Sequence, residues 1–92
     1  MKEKITVAEF EKKVWEREQI RIIVRAPQTD MVDDYDYMKR ASASFSVTDW
    51  INGRVKSKLD GRDFYIVYGT GMRPHGKTRL DKVRESYKKV ST

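Results

Sequence analysis

The sequence has no cysteine, only one histidine and no long apolar run, and each absence excludes a class of protein. Without cysteine, the chain cannot form disulfides, bind zinc through thiolates or use a thiol nucleophile. The single histidine, His75, has no second histidine or cysteine with which to form a metal site or a catalytic triad. The longest aliphatic run, Ile22-Ile23-Val24, is far shorter than the roughly 18 residues that suggest a membrane span. We therefore expect a cytoplasmic protein with no membrane segment, metal or cofactor.

The length of the chain predicts one small domain, residues 1–92. Domains typically contain about 100–150 residues. A chain of 92 residues has room for a single core, so a large enzyme fold with an enclosed cleft is not expected. Hydrophobic residues make up 38% and aromatic residues 11% of the sequence, which is too much for a disordered chain despite 37% charged residues. The sequence thus predicts a folded, non-enzymatic protein without a small-molecule substrate.

The net charge of +6 is confined to the second half of the chain. Residues 1–45 carry nine basic and nine acidic side chains, whereas residues 46–92 carry eleven basic and five acidic ones. A basic surplus that is concentrated in one half favours an anionic partner such as nucleic acid.

Capping signals and hydrophobic spacing predict a helix and a strand near the start of the chain. Thr6 and Glu9 form a capping-box pattern, after which apolar residues recur at helical spacing, so a helix is expected over 7–17. Residues 19–26 are rich in β-branched side chains that largely alternate with charged ones. This alternation predicts a strand whose even-numbered residues face the core.

The second half of the chain predicts further helices and a strand. Ser46 fits an N-cap, and the apolar stripe that follows predicts a helix to about Gly53 or Lys56. Residues 64–68 predict a second strand. Together these elements predict the α+β class, with short helices packed on a small, mainly antiparallel sheet.

Residues 71–78 read Gly-Met-Arg-Pro-His-Gly-Lys-Thr and match the Walker A pattern between a strand and a helix. A nucleotide-binding loop of this type also needs a multi-stranded parallel sheet and a second strand that ends in a Mg²⁺-ligating Asp. Only fourteen residues follow Thr78, and Pro74 stiffens the segment. An ATP- or GTP-dependent enzyme is therefore disfavoured. A phosphate-binding turn and a plain glycine-rich connection remain as alternatives.

The start of the last helix is the preferred candidate for contact with phosphate. A cap pattern from Thr78 to Asp81 predicts a helix over 79–89. If the segment is a phosphate-binding turn, and not a plain glycine-rich connection, the first backbone N–H groups of this helix are free to bind nucleic-acid phosphate, with basic side chains around them. The residues predicted to bind nucleic acid or a ribonucleoprotein are Arg73, His75, Lys77, Arg79, Lys82 and Arg84.

An acidic stretch with two tyrosines precedes the second helix. We expect residues 30–36 to form a loop, and residues 37–45 fit either a strand or a helical turn. The carboxylates lack the glycine and the terminal Glu of a Ca²⁺ loop, so they do not indicate a metal site. They are either a solvated loop or a contact with a basic protein surface. The residues predicted for such a protein contact are Asp33, Asp34, Tyr35, Asp36 and Tyr37.

Three segments of the chain, taken together, carry a resemblance to a known family. They are Ala8-Glu9-Phe10-Glu11 through Val14-Trp15-Glu16, Ser46-Val47-Thr48-Asp49-Trp50, and Pro74-His75-Gly76-Lys77-Thr78. In this combination the chain resembles small phage-encoded anti-CRISPR proteins of the type I-F group. The resemblance implies a non-enzymatic inhibitor that binds a crRNA-guided surveillance complex in the host bacterial cytoplasm. It also implies that the inhibitor stops target DNA from binding to the complex or pairing with the guide.

Two hypotheses about the partner follow. The first is a stoichiometric inhibitor that binds a surveillance ribonucleoprotein, its protein subunits and the crRNA backbone, through the basic C-terminal half. Such a complex presents RNA backbone as well as basic channels, which suits a chain with a basic half and a separate acidic stretch. The alternative is a small basic DNA- or RNA-binding regulator, which predicts salt-sensitive binding to naked nucleic acid.

Overall fold

A computed structural model describes residues 3–90 and the side chains of residues 3–88. Two small antiparallel sheets, each of two strands, pack with the helices and confirm the α+β class. The elements in chain order are β1 Lys4–Thr6, α1 Val7–Glu18, β2 Arg21–Val24, β3 Met31–Asp33, α2 Val47–Trp50, a π-helical turn Ile51–Val55, α3 Lys56–Leu59, β4 Phe64–Val67 and α4 Leu80–Val90.

Helix α1 begins and packs as its sequence predicts. The Thr6 hydroxyl accepts a hydrogen bond from the Glu9 N–H at 3.1 Å, and the Glu9 carboxylate accepts one from the Thr6 N–H at 3.1 Å. This reciprocal pair is the capping box, which satisfies two N–H groups at the start of the helix. Phe10 and Val14 are fully buried. The helix ends at Gln19, whose left-handed backbone (φ 58°) turns the chain toward β2.

The sheet of β2 and β4 has an inner and an outer face. Ile22 lies opposite Ile66 and both are buried, whereas Ile23 lies opposite Tyr65 on the outer face. This arrangement confirms both predicted strands, with shorter bounds, and the inward direction of the even-numbered residues of β2. One sheet face therefore joins the core, and the other is left open.

The hydroxyl of Tyr87 joins the two strands at one end of this sheet. It accepts a hydrogen bond from the Arg21 N–H at 2.9 Å and donates one to the Val67 carbonyl at 2.5 Å. Arg21 and Val67 are partners in the strand register. The hydroxyl therefore satisfies polar groups of both strands and fastens α4 to the sheet.

The expected loop over residues 30–36 is wrong for its first half, because Met31–Asp33 forms strand β3. It pairs with β1, and Ile5 lies opposite Val32. Both side chains are buried, so each of these short strands gives one apolar residue to the core. Three residues are too few for alternation to be recognised in a sequence. Residues 37–45, for which strand and helix were both open, form neither.

The second helical region is longer than the sequence predicts. The Ser46 hydroxyl caps it by accepting from the Asp49 N–H at 3.1 Å, as expected. The helical backbone then continues through the π-helical turn and α3 to Leu59, which is fully buried. It ends where Asp60 (φ 49°) and Gly61 (φ 80°) adopt left-handed conformations. The Asp-Gly turn, and not the earlier glycine, stops the helix.

The apolar core lies between the helices and the inner sheet face. Its largest fully buried side chains are Trp50, Phe10, Ile20, Leu59 and Leu80. None of the helices within residues 3–90 is both long and apolar enough to cross a membrane.

Candidate nucleic-acid interface

The beginnings of α2 and α4 lie side by side and satisfy each other's backbone groups. Ser46 and Arg79 form an isolated antiparallel bridge between them. The four hydrogen bonds are Val47 N–H to Thr78 carbonyl at 2.8 Å, Thr48 N–H to Gly76 carbonyl at 2.9 Å, Leu80 N–H to Phe45 carbonyl at 2.8 Å and Asp81 N–H to Ala43 carbonyl at 3.3 Å. The prediction that the start of the last helix offers free N–H groups to phosphate is therefore wrong. Because the Asp81 N–H is bound to Ala43, it also does not need the predicted Thr78 cap.

The Walker-like segment connects β4 to α4, and three of its N–H groups bond to the protein itself. They bond within the segment or to the preceding strand end: Lys77 to His75 Nδ1 at 3.2 Å, Thr78 to the His75 carbonyl at 2.9 Å and Gly71 to the Tyr68 carbonyl at 2.9 Å. Gly76 is needed because a Cβ at this position would overlap Thr48 Oγ1. This glycine lets the connection pass close to the start of α2, which matches the alternative of a glycine-rich connection.

The six predicted basic-site residues do not form one patch. Arg73, His75, Lys77, Arg79 and Lys82 are exposed, whereas Arg84 is turned inward. Arg79 is paired with Asp81 at 3.3 Å. Arg73 packs on the outer sheet face, with its guanidinium carbon 4.0 Å from the centre of the Tyr65 ring.

Arg84 is unavailable as a surface contact because it binds Glu18 at the end of α1. Glu18 is fully buried. Arg84 donates from Nη2 to Glu18 Oε1 at 3.1 Å and from Nε to the Glu18 carbonyl at 2.8 Å. Arg54 donates to the other carboxylate oxygen at 2.9 Å. Burial lowers the pKa of Arg84, because desolvation disfavours its cation. We call Glu18, Arg54 and Arg84 the buried triad.

Two aromatic side chains complete the bonding of the buried triad. The Tyr35 hydroxyl donates to Glu18 Oε2 at 2.5 Å and accepts from Trp50 Nε1 at 3.0 Å. The Ala41 N–H donates to Glu18 Oε1 at 2.8 Å. A buried carboxylate is tolerated only when its oxygens are paired in this way.

Sequence reasoning does not single out Glu18, although the pattern contains a signal. Glu18 follows Val14 by four residues, and Arg84 follows Leu80 by four residues, so each charge lies on the buried stripe of its helix. Acidic and basic residues on two such stripes indicate a buried ion pair.

The acidic stretch is folded against the protein's own cations. Tyr35 is buried, so its predicted role in contacting a partner is wrong. The ring of Tyr37 packs against Tyr35 at 5.0 Å and lies under Arg54 at 4.4 Å. The carboxylates form ion pairs: Asp33 with Lys4 at 2.8 Å, Asp34 with Lys13 at 2.6 Å and Asp36 with Lys58 at 3.1 Å. This pairing neutralises much of the charge that a basic partner would recognise.

The structure instead presents an open cationic surface on the outer side of the β2–β4 sheet. We call it the cationic sheet face and define it by Arg21, Ile23, Arg25, Tyr65 and Arg73. Ile23 is 39% exposed at its centre, and the three arginines around it are exposed. Within the described residues, none of these arginines has a carboxylate at ion-pair distance. Their charge is therefore available to an anionic partner.

The buried tyrosines predict a loss of stability at alkaline pH. Burial, with a hydrogen bond to Glu18, raises the pKa of Tyr35, and burial raises the pKa of Tyr87. The stabilising contribution is complete below the unfolded-state pKa of about 10 and is lost as pH rises through the folded-state values. We expect Tyr35 to contribute a decline of up to about 1.4 kcal/mol per pH unit. Urea unfolding at a series of pH values measures it, and an equally steep decline in a Y35F/Y87F variant would contradict this cause.

Comparison of the chain with protein-family models, curated proteins and solved structures gives no match. Among the residues that the structure describes, no three His, Asp or Glu side chains come together as a group that could hold a metal ion.

Proposed function

We propose that this protein is a non-enzymatic, stoichiometric inhibitor that binds a ribonucleoprotein through the cationic sheet face. The observation that supports the proposal is the group of three exposed arginines around Ile23 and Tyr65, without carboxylate partners among the described residues. A guanidinium offers planar, paired donors that suit a phosphate, and it stacks on rings as Arg73 does on Tyr65. An apolar centre with an arginine rim suits a mixed surface of nucleic-acid backbone and protein.

The resemblance to type I-F anti-CRISPR proteins selects the partner to be tested, a crRNA-guided surveillance complex. Such a complex recognises target DNA by base pairing with its guide RNA. A protein that occupies the guide backbone, or the surface beside it, stops DNA from binding or pairing without any chemical step. The proposed contact lies on the sheet and not at the start of α4.

The decisive experiment measures target DNA binding by a type I-F surveillance complex preincubated with the protein. We expect binding to fall in proportion to added protein, with saturation at a fixed molar ratio. Undiminished DNA binding at excess wild-type protein would refute the proposed function.

A pair of variants with equal charge loss tests the proposed surface. R21Q/R25Q/R73Q removes the arginines of the cationic sheet face, whereas K12Q/K39Q/K56Q removes three exposed lysines outside it. We expect the arginine variant to lose most of the inhibition and to reduce the slope of log affinity against log salt by roughly two to three. The lysine variant should retain inhibition. Equal losses in both would mean that net charge, and not this surface, governs binding.

The alternative, a small DNA- or RNA-binding regulator, uses the same cations on free nucleic acid. It predicts a salt-sensitive shift of naked duplex DNA or RNA that the arginine variant loses. Inhibition of the surveillance complex without such a shift favours the ribonucleoprotein, and a shift without inhibition favours the regulator.

A further inference from the structure

A second cationic surface lies beside the sheet, between α1 and α4. It is a groove of about 470 Å³ lined by Trp15, Gln19, Arg40, Arg84, Tyr87 and Lys88. We call it the Trp15 groove. Its lining contains three basic side chains, two aromatic rings and one amide, and no carboxylate. Neither the sequence patterns nor the proposed sheet contact accounts for this combination.

The buried triad places a surplus positive charge next to the groove. Glu18 is paired with both Arg54 and Arg84, so one carboxylate serves two guanidinium groups. The carbonyls of Lys39 and Ala41 accept from these guanidinium groups, at 2.6 Å and 3.0 Å, but they carry no net charge. Arg84 is the member of the triad that lines the groove. The pairing of one carboxylate with two guanidinium groups therefore adds positive charge beside the groove.

Arg40 adds to this potential from the other side of the groove. Its Nε donates to the Arg17 carbonyl at 3.0 Å, which fixes the base of its guanidinium beside α1. The charge of Arg40 also opposes that of Arg84 and, after burial, helps to lower the pKa of Arg84. Two cations held close together in this way favour an anion between or beside them.

The aromatic side of the groove is built from Trp15 and Tyr87. Their ring centres are 5.3 Å apart at an interplanar angle of 82°, so they pack edge to face. The guanidinium carbon of Arg21 lies 4.9 Å from the centre of the Trp15 ring. The Tyr87 hydroxyl is hydrogen-bonded to both strands, which holds the Tyr87 ring in place beside Trp15. Arg21 belongs to the cationic sheet face as well, so this contact joins the two surfaces.

We propose that the Trp15 groove binds one unpaired nucleotide of single-stranded nucleic acid, with the base against Trp15 and the phosphate near Arg40 and Lys88. Proteins hold single strands by stacking bases on aromatic side chains while cations follow the backbone. An acidic peptide would use the cations but not the ring. This proposal deepens and rests on the proposed function, because it names the unpaired strand of the ribonucleoprotein as the element that is bound.

The test uses the two tryptophans of the chain as reporters. Trp15 lines the groove, whereas Trp50 is fully buried. Fluorotryptophan-labelled protein gives one fluorine NMR signal for each, assigned with a Trp15→Phe variant. We expect titration with a short oligouridylate to shift the Trp15 signal and leave the Trp50 signal in place, both in the wild-type protein and in the R21Q/R25Q/R73Q variant, in which the arginines of the cationic sheet face are absent. An unmoved Trp15 signal at saturating oligouridylate would overturn the proposal.

Paired variants test the phosphate contacts. R40Q/K88Q should weaken binding of oligouridylate roughly tenfold or more, since the affinity of such sites depends on cations that neutralise phosphates. K12Q/K56Q removes the same charge from exposed positions outside the groove lining and should weaken it far less. Equal weakening by both variants would overturn the proposal.

Oligoglutamate is the control ligand, since it carries negative charge as oligouridylate does but has no nucleobases. A shift of the Trp15 signal as large as that caused by oligouridylate would identify the groove as a site for acidic peptide and overturn the nucleotide proposal. The outcome is separable from the proposed function. Inhibition of the surveillance complex without a shift of the Trp15 signal would refute only the proposal that the groove binds a nucleotide. A shift of the Trp15 signal without inhibition would refute only the proposal that the protein is an inhibitor.

Discussion

Glu18→Gln is expected to destabilise the protein by about 3–5 kcal/mol, because it leaves two largely buried guanidinium groups, on side chains that are 21% and 13% exposed, without a counter-charge. The amide keeps the size of the side chain, so the loss reflects charge and not a cavity. Small domains have a total free energy of unfolding of about 5–15 kcal/mol. Much of the variant would therefore be unfolded at modest urea concentrations. Urea unfolding followed by circular dichroism measures the change.

Glu16→Gln is the matched control for this substitution. Glu16 lies on the same helix and is exposed, so the change should stay within about 0.5 kcal/mol. A triple variant, E18L/R54M/R84M, replaces the buried triad with apolar side chains and should lose less stability than Glu18→Gln. If Glu18→Gln cost under about 1 kcal/mol, the interpretation of the triad as a buried charge cluster would fail.

Gly76→Ala is expected to destabilise the protein by about 1–3 kcal/mol, since the new methyl group would overlap Thr48 Oγ1. The backbone on both sides is held by the bond from the Thr48 N–H to the Gly76 carbonyl, so the overlap is relieved mainly by a change in the Thr48 side chain. The second substitution Thr48→Ala removes the obstructing oxygen and should restore most of the loss. A double-mutant cycle by urea unfolding gives the coupling between the two positions.

Gly53→Ala serves as the control for a glycine with space around it. A Cβ at Gly53 meets no atom within 4 Å, and alanine favours the helical backbone there by up to about 1 kcal/mol. Stabilisation at residue 53 with destabilisation at residue 76 would locate the effect in the contact. If Thr48→Ala failed to rescue Gly76→Ala, the overlap would not be its cause.

The parts of the fold that the sequence predicts are those with strong local signals. Helix α1 has a capping box and a clear apolar stripe, and strands β2 and β4 have runs of β-branched or aromatic residues, so local preference and burial agree. Strands β1 and β3 are not predicted from the sequence, because each has only one buried residue. The continuation of the second helix past Gly53 is not predicted for a different reason. Burial of Val55 and Leu59 outweighs the low helix propensity of glycine.

The candidate site was less predictable because it depends on contacts between distant residues. The charge surplus in residues 46–92 correctly indicates where cations are frequent, but not which of them face solvent. Arg84 is ion-paired with Glu18 and is largely buried. Two arginines of the cationic sheet face, Arg21 and Arg25, belong to residues 1–45, the half of the chain with no net charge. The N–H groups at the start of α4 looked free because the carbonyls of Ala43 and Phe45 lie far away in sequence.

The paired helix beginnings also close the chain into a loop. The backbone bonds that join Val47 to Thr78 and Leu80 to Phe45 fasten the two ends of the intervening segment. Closing such a segment costs entropy that grows only slowly with its length, so a few well-made hydrogen bonds suffice to hold it. In a chain without cysteine, this junction joins the two ends of the segment in the folded state. Unlike a disulfide, it forms and breaks with the fold, so it does not restrict the unfolded chain.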